Sequence, residues 1–432
     1  MSAPVVGFAG LTHLGLVSAI AVASKGFRVI GYDADAARVH DIAAGQLPVV
    51  EPDLDELARG VAGRITFTSQ PGDLAACDLV YISTDVATDA RGESDLSAIS
   101  ALITDVIAAL AAPALMVVLC QVPPGFTRRL PLPPERLFYQ VETLVFGRAV
   151  ERATRPERYM VGCADPAKPL PKPFATLLGA FGCPILPMRY ESAELAKIAI
   201  NCCLVASVTV ANTLAGLSER IGADWSEIMP ALKLDARIGR HAYLAPGLGL
   251  AGGNLERDLV TITRLAAATG CEASIIAACI ANSHHRRDWA LRVLHSEVLS
   301  HSRDALIGIL GLAYKENTHS TKNSPSLALI SALAPWRLKL YDPVVPASAA
   351  THPRAEGASS ALAAVKGADA LAIMTPWPVF RDLKPADLAR AMAGRTVLDP
   401  YRVLDARDVA AAGLDYFTLG APPYRAKELL HA

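Results

Sequence analysis

The chain carries, twice, a pattern in which a short apolar run, a glycine-containing turn and a helical segment lead to a second apolar run that ends in an acid. The first copy runs from residues 3–9 through an Ala-rich segment closed by Gly26 to residues 27–33, ending at Asp33. The second copy begins at residues 305–312 and includes residues 338–341, which precede Asp342. Further strand-like runs occupy residues 79–83, 115–119, 370–374 and 396–398. Alternation of this kind favours a parallel, doubly wound sheet in each half.

Between the two copies the pattern is helical. Residues 190–221 contain no glycine or proline before Gly216, and mainly helical character continues to about residue 287. A chain of 432 residues is long enough for two or three domains with buried cores. We therefore predict an α/β protein with two Rossmann-like doubly wound domains, residues 1–188 and 295–432. A long central helix and a helical dimerisation region, residues 189–294, join them.

The first glycine turn resembles a dinucleotide-binding fingerprint with one departure. It reads Gly10-Leu11-Thr12-His13-Leu14-Gly15, so the first and last glycines are present and Thr12 replaces the middle one. A side chain there would crowd a pyrophosphate, and by itself the motif is weak because similar turns occur without nucleotide. Asp33 follows 23 residues after Gly10, where a carboxylate binds ribose hydroxyls and disfavours NADP. The predicted cofactor residues here are Gly10, Thr12, Leu14, Gly15 and Asp33.

A second glycine-rich segment, Pro246–Asp258, reads P-G-L-G-L-A-G-G-N-L-E-R-D. It resembles the active-site signature of the nucleotide-sugar 6-dehydrogenases, a family that acts on UDP-glucose, GDP-mannose or UDP-N-acetylmannosamine. In that family the segment reads roughly P-G-x-G-F-G-G-S-C-L-P-K-D, and its cysteine is the covalent nucleophile. Asn254 stands at the cysteine position here, and Arg257 stands at the lysine position.

The resemblance extends over nearly the whole chain. Matching segments are Thr84 with residues 88–97, residues 121–127, 140–144, 192–201, 235–239, 311–318 and 322–325. It implies NAD as cofactor and a nucleotide sugar as substrate. Further cofactor contacts would come from Thr84, Gln121 and Lys322. The substrate contacts would come from Glu142, Leu144, Lys197, Arg237, Tyr243, Gly249, Gly252 and Lys315. The resemblance also implies a homodimer built around the central helix.

In the family, NAD accepts one hydride from the C6 alcohol and a second from a thiohemiacetal on the cysteine. The positions linked to this chemistry hold Lys197, Asn201, Asp258 and Glu142. Lys197 and Asn201 are four residues apart and share one helix face. An Asn carboxamide is a very poor nucleophile, so Asn254 is either a polar participant or a structural turn residue. Gln121, where the family has a threonine, indicates a remodelled site.

Three functions are compatible with these residues. The first, which we favour, is an NAD-dependent oxidoreductase that performs a single alcohol–aldehyde oxidation, or reaches the acid through a hydrated aldehyde, without covalent catalysis. The second is a redox-inactive nucleotide-sugar-binding homologue, suggested by Thr12 and Asn254 together. The third is a redox-neutral enzyme, such as an epimerase, that retains NAD and returns the hydride.

Net charge, apolar runs and cysteine spacing limit the kinds of partner and cofactor that we expect for this chain. The formal net charge of −1 gives no basic field for nucleic acid or an anionic membrane. No basic segment precedes the apolar N-terminus, and we find no uninterrupted apolar run of about 20 residues suited to a membrane span. The eight cysteines show no metal-ligand spacing, which favours buried thiols in a reducing cytoplasm and predicts no metal site.

Overall fold

The computed structural model describes residues 3–87 and 94–426, and the side chain of Asn254 lies outside this description. The chain divides into two compact units, Met1–Ile200 and Asn201–Ala432. The motif residues 88–93 also lie outside the described part of the chain.

The first unit contains an eight-stranded sheet in the order β3-β2-β1-β4-β5-β6-β7-β8. All neighbouring strands are parallel except β6 and β7. The central strands β4 and β5 are buried along their whole length because helices cover both faces. The strands are β1 Val5–Ala9, β2 Arg28–Tyr32, β3 Ile65–Thr68, β4 Leu79–Ile82, β5 Leu115–Val118, β6 Leu137–Gln140, β7 Tyr159–Cys163 and β8 Ile185–Arg189.

Two apolar cores, one containing Phe8 and Leu16 and the other Met116 and Ile103, fill the two faces of this sheet. The helix α1 is apolar nearly all round and is almost entirely buried, as expected of a crossover helix that packs on the sheet. The helices are α1 His13–Ser24, α2 Ala36–Ala43, α3 Leu54–Val61, α4 Ser97–Ala109, α5 Ala149–Thr154 and α6 Lys172–Gly179.

A 32-residue helix, α7 Tyr190–Ile221, leaves the first unit and continues into the second. Contrary to our expectation of no membrane-span candidate, α7 is long and apolar enough to cross a membrane by length and composition, with a mean hydropathy of 1.8 over an 18-residue window. The prediction counted uninterrupted apolar residues, and polar residues such as Asn201 and Thr209 interrupt α7. The core helices of soluble proteins meet the same criterion. Further helices are α8 Trp225–Leu234, α9 Asn254–Thr269, α10 Ser274–Arg287 and α11 Trp289–Leu294.

The second unit contains a six-stranded, wholly parallel sheet in the order β11-β10-β9-β12-β13-β14. Its core surrounds β9 and β12, whose residues are all buried. The strands are β9 Leu306–Leu310, β10 Arg337–Tyr341, β11 Ala355–Gly357, β12 Ala370–Ile373, β13 Thr396–Leu398 and β14 Asp415–Phe417. The helices are α12 Pro325–Ala332, α13 Ala361–Val365, α14 Pro385–Ala391 and α15 Ala406–Ala411.

The two sheets repeat one local geometry after their first strand. Gly10 follows β1 with φ +92° and donates its N–H to Tyr32 O at 2.8 Å. Gly311 follows β9 with φ +93° and donates to Tyr341 O at the same distance, 2.8 Å. The predicted fold class, two doubly wound α/β sheets with a long helix between them in the chain, is thus confirmed. The boundaries near residues 188 and 295 remain predictions.

Candidate functional site

The dinucleotide turn, residues 10–15, requires glycine at both ends. A Cβ on Gly10 would come within 2.8 Å of Thr84 Cβ, and Gly10 has a positive φ that disfavours other residues. A Cβ on Gly15 would lie 1.8 Å from Gly10 O, so only glycine allows α1 to approach the turn this closely. The structure therefore brings the predicted residues Gly10, Gly15 and Thr84 together.

The two other predicted residues of this turn contribute in different ways. Thr12 is the N-cap of α1, but its side chain makes no capping hydrogen bond. Instead Thr12 Oγ1 accepts from Asp85 N at 2.9 Å. The first-turn amides of α1, which have no acceptor within the helix, are therefore not capped by this side chain. The Leu14 side chain is 5% exposed and packs in the core, so Leu14 could reach a dinucleotide only through its backbone.

Asp33, at the end of β2, is buried and fully engaged. Its Oδ2 accepts from Leu11 N at 2.8 Å and its Oδ1 accepts from Asp35 N at 3.0 Å. Arg38 Nη1 donates to both oxygens, at 3.0 and 2.9 Å. Arg38 is a residue that the sequence did not point to, although its place on the first turn of α2 puts it near Asp33. The two glycines, the uncapped helix start and the strand-end acid fit an NAD site.

Glu142 and Lys197 form an ion pair within the first unit. Lys197 Nζ lies 3.0 Å from Glu142 Oε2, and both side chains are largely buried, with 14% and 18% of their surface exposed. Lys197 lies on α7, whereas Glu142 belongs to the loop after β6. The same carboxylate accepts a hydrogen bond from Leu144 N, so the predicted residues Glu142, Leu144 and Lys197 do meet.

A buried glutamate holds another predicted segment. Glu194, one helical turn before Lys197 and fully buried, accepts from Gly125 N at 2.5 Å and Thr127 N at 2.8 Å. Burial raises the pKa of Glu194, and these two donors oppose that rise. Glu194 thus holds residues 125–127, the end of the predicted segment 121–127, onto α7.

Asn201 and Asp258 form a buried pair in the second unit. Asn201 Nδ2 donates to Asp258 Oδ2 at 2.5 Å, and the two residues are 8% and 1% exposed. Arg257 Nε lies 3.7 Å from Asp258 Oδ1. Burial, followed by the charge of Asp258, raises the pKa of the Cys202 thiol to about 11, so this neighbouring cysteine is not a thiolate at neutral pH.

The Pro246–Asp258 signature is packed around its glycines. A Cβ on Gly249 would lie 2.4 Å from Ser283 O, and one on Gly252 would lie 3.3 Å from the Tyr314 ring. A Cβ on Gly253 would meet Lys322 Nζ at 3.0 Å. The absence of a side chain at residue 253 therefore gives Lys322 its place beside the signature. Asn254 begins α9.

Residues 322–323 also contact the signature through hydrogen bonds. Gly252 N donates to Lys322 O at 3.0 Å, and Asn323 Nδ2 donates to Gly252 O at 2.8 Å. Asn323 also bonds to the Glu256 carboxylate. The sequence did not point to Asn323 or Glu256.

Of three further predicted substrate residues, Arg237 and Tyr243 contact other groups, and Lys315 lies over the Tyr314 ring that packs against Gly252. Arg237 is highly exposed and pairs with Asp235, with Arg237 Nη2 2.7 Å from Asp235 Oδ2. Tyr243 is 53% exposed and lines a surface cavity of about 300 Å³ with Lys233 and Arg240. Lys315 Nζ lies 5.7 Å from the Tyr314 ring centroid. Among the described residues, no group of three or more His, Cys, Asp or Glu side chains could hold a metal ion.

Comparison with family models covers most of the chain. Residues 5–169 match the NAD binding domain of the UDP-glucose/GDP-mannose dehydrogenase family, residues 191–284 match its central domain, and residues 308–406 match its UDP binding domain. The first of these matches contains the dinucleotide turn and Asp33, and NAD is therefore the cofactor.

Individual relatives match over nearly their whole length. The chain is 28% identical over 440 residues to UDP-glucose 6-dehydrogenase TuaD of Bacillus subtilis, covering 97% of this chain and 94% of the relative. It is 29% identical to UDP-glucose 6-dehydrogenase of Pseudomonas aeruginosa, covering 96% of each. A UDP-glucose dehydrogenase structure from Pyrobaculum islandicum matches with a TM-score of 0.84 and 28% identity, over 94% of this chain and 96% of that one. The chain belongs to the UDP-glucose/GDP-mannose dehydrogenase family.

Proposed function

We propose that this protein oxidises the primary alcohol of a nucleotide-linked sugar to the aldehyde in one NAD-dependent step, without a cysteine thioester. One observation carries the proposal. The signature has Asn254 where the family has its nucleophilic cysteine, while the ion pair Lys197–Glu142 and the hydrogen bond Asn201–Asp258 are both formed. The groups for a first hydride transfer persist, and the group for the second does not.

The oxidation removes a hydride from the carbinol carbon and a proton from its hydroxyl. Bound NAD supplies the hydride acceptor. The Lys197 ammonium stabilises the developing alkoxide, and the Asn201 amide lies one helical turn further along α7. Glu142 holds Lys197 by the 3.0 Å ion pair. Asp258, held by Asn201, orients the water that takes the proton.

The covalent second oxidation lacks a nucleophile. A carboxamide at residue 254 does not add to an aldehyde and leave as a thiolate does. Cys202 follows Asn201 directly, but burial and the charge of Asp258 raise its pKa to about 11. Cys271 is exposed and lies seventeen residues after Asn254. We therefore assign the aldehyde as the released product.

The remaining predicted residues are assigned to binding. For the cofactor we assign Gly10, Thr12, Gly15, Asp33, Thr84, Gln121, Lys322 and the backbone of Leu14. For the nucleotide sugar we assign Leu144, Arg237, Tyr243, Gly249, Gly252 and Lys315. The curated relatives are UDP-glucose 6-dehydrogenases, which makes UDP-glucose the first substrate to test.

The deciding experiment counts NADH per molecule of sugar nucleotide consumed and identifies the product by mass spectrometry. UDP-glucose, UDP-N-acetylmannosamine and GDP-mannose are each supplied with excess NAD. We expect one NADH per sugar and an aldehyde that hydroxylamine traps. Two NADH per sugar through a trapped enzyme adduct would overturn the proposal. Binding of sugar nucleotide without NAD would favour a redox-inactive protein, and copurified NAD without net NADH would favour a redox-neutral enzyme.

A matched pair of variants connects this turnover to the site. Lys197→Met removes the ammonium and is expected to lower kcat by about 10²–10³-fold, the usual loss when one stabilising charge or donor is removed. Lys168→Met is the control, because the Lys168 side chain is 78% exposed. Equal turnover in the two variants would contradict the role of Lys197.

We also propose a cytoplasmic homodimer that assembles through α7. All eight cysteines are free, which suits a reducing compartment. Val210, Leu214, Leu217 and Ile221 recur every three or four residues along one face of α7 and are 40–65% exposed. A continuous apolar helix face of this kind is characteristic of an interface.

A further inference from the structure

A histidine of the dinucleotide turn is hydrogen-bonded to a buried carboxylate from a distant part of the chain. His13, the first residue of α1, has Nε2 2.9 Å from Glu51 Oε1. The Glu51 side chain is 1% exposed and that of His13 is 12% exposed. Because a carboxylate only accepts, His13 Nε2–H is the donor. The proposed mechanism gives neither residue a role.

The same carboxylate holds the loop that carries Glu142. Gly147 N donates to Glu51 Oε1 and Oε2, both at 2.9 Å, and Ala149 N donates to Oε2 at 3.1 Å. Ala149 begins α5, so Glu51 accepts from the amino end of that helix. Gly147 has φ +83°, a conformation that favours glycine. The end of the 142–147 loop is therefore fixed by Glu51.

A ring contact joins the same two segments. The His13 and Phe146 rings lie 4.2 Å apart between centroids, tilted by 32°. The opposite end of the 142–147 loop is held by the Glu142–Lys197 ion pair. A continuous set of contacts thus runs from the dinucleotide turn through His13, Glu51 and the loop to Lys197, all within the first unit.

We propose that His13 and Glu51 are positioning residues that link the dinucleotide turn to the 142–147 loop, so that NADH and the nucleotide sugar bind with positive cooperativity. This inference rests on the proposed function, which assigns Leu144 to the sugar nucleotide and makes Glu142 the partner that holds Lys197.

The physical reason is that both ligands need the same contacts ordered. A dinucleotide that binds the first-turn amides of α1 fixes the backbone of His13, and with it the hydrogen bond to Glu51. The 142–147 loop contains no helix or strand of its own, so its position depends on Glu51 and Lys197. The ligand that binds first loses binding free energy by ordering these contacts, and the second ligand finds them already ordered. Each ligand therefore raises the affinity for the other by the same factor.

The test measures the dissociation constant of UDP-glucose by calorimetry with and without saturating NADH, a pair of ligands that cannot react. We expect NADH to tighten UDP-glucose binding at least about fivefold, the lower end of typical coupling. The coupling ratio is the dissociation constant of UDP-glucose without NADH divided by that with NADH. His13→Phe keeps a ring beside Phe146 but removes the donor, and it should bring this ratio close to one. His13→Gln keeps an N–H donor and should restore part of the ratio.

Two further variants make the outcome decisive. Glu51→Gln replaces one acceptor oxygen by a donor, and its coupling ratio should fall close to one, as in His13→Phe. His40→Phe, at an exposed position on α2, is the control and should keep the wild-type ratio. A merely structural role would lower thermal stability or both affinities without changing their ratio. A wild-type ratio in His13→Phe, or a ratio of one in the wild type, overturns the coupling but leaves the proposed function standing. Absence of NADH binding in the wild type contradicts both.

Discussion

Single carboxylates organise the loops of this protein by accepting backbone N–H groups. Asp33 holds the dinucleotide turn, Glu51 holds the start of α5, and Glu194 holds the segment 125–127. In the second sheet, Asp342 Oδ2 accepts from Leu312 N at 2.6 Å and Ala313 N at 3.1 Å. Hydrogen bonds to a charged acceptor are stronger than neutral ones, so a single acidic side chain is enough to fix each loop.

Asp342 allows this effect to be measured. Its Oδ1 accepts from Val344 N and Val345 N, each at 2.8 Å, and Trp377 Nε1 donates to Oδ2 at 3.0 Å. Asp342→Asn presents an NH₂ group to some of these donors, leaving at least two of them without an acceptor. We expect the free energy of unfolding to fall by about 2–3 kcal/mol, measured by urea denaturation. Asp382→Asn, at an exposed position, is the control and should change little.

The difference in the free energy of unfolding between the wild type and Asp342→Asn, called the stability gap, should depend on pH. Burial raises the pKa of Asp342, but the backbone donors Val345, Leu312, Val344 and Ala313 outweigh it, and the net pKa lies below its ordinary value. An acid with a lowered folded pKa contributes stability at neutral pH, and this contribution is lost as pH falls through the folded pKa. The stability gap should therefore be constant from about pH 6 to 8 and narrow below about pH 4. A gap that shows no narrowing as pH falls below about 4 would contradict this explanation.

At the residue scale, local sequence patterns revealed the local contacts, whereas the distant pairs Glu142–Lys197 and Asn201–Asp258 were reached only through the family resemblance. Asp33 was identifiable because the acid of a βαβ unit ends the second strand, close in sequence to the turn that it serves. Glu51 and Gly147 are 96 residues apart, and no periodicity indicates that they meet. Asn323 and Glu256 are 67 residues apart and escaped prediction for the same reason. Long-range side-chain contacts depend on the completed fold.

The elements with strong local signals were the ones that the sequence predicted. The central strands β1, β4, β5, β9 and β12 are buried apolar runs, and α7 has a long helical pattern without early breakers. The edge strand β8, with three exposed positions among its five residues and a proline, gave no such signal. The antiparallel pairing of β6 with β7 was also not predicted, because it departs from the βαβ rule.

The proposed dimer interface on α7 can be tested by a single substitution. Leu217 is 51% exposed in the middle of the stripe Val210–Ile221. Leu217→Lys places a charge in the proposed interface and should convert a dimer into a monomer in sedimentation velocity, with little loss of monomer stability because the residue is exposed. Val50→Lys, at a 97% exposed apolar residue of the first unit, is the control and should leave the dimer intact. A dimer that survives Leu217→Lys would place the interface elsewhere.

At the scale of the whole molecule, each sheet has its own core. The buried clusters around Phe8 and Met116 draw only on residues up to Ala193, with Ala196 and Ile200 packed against them. The first turns of α7 thus belong to the first unit. Tyr190 is 2% exposed, and its hydroxyl donates to Leu137 O at 2.7 Å. The predicted domain boundary at residue 188 and the division of the chain at Ile200 therefore differ by the residues that complete this core.

Two fragments distinguish these boundaries. Residues 1–200 keep Tyr190 and Glu194, and we expect this fragment to unfold cooperatively and to bind NADH through its own dinucleotide turn. Residues 1–188 lose the buried Tyr190 ring and both hydrogen bonds of Glu194, and should be less stable by at least about 3 kcal/mol, the usual cost of removing one buried aromatic side chain. The melting temperatures of the two fragments are compared by thermal denaturation monitored with circular dichroism. Glu194→Gln in the longer fragment separates the contribution of the carboxylate from that of the ring. Equal melting temperatures for the two fragments would show that the first domain is complete at residue 188, and that α7 belongs wholly to the central region.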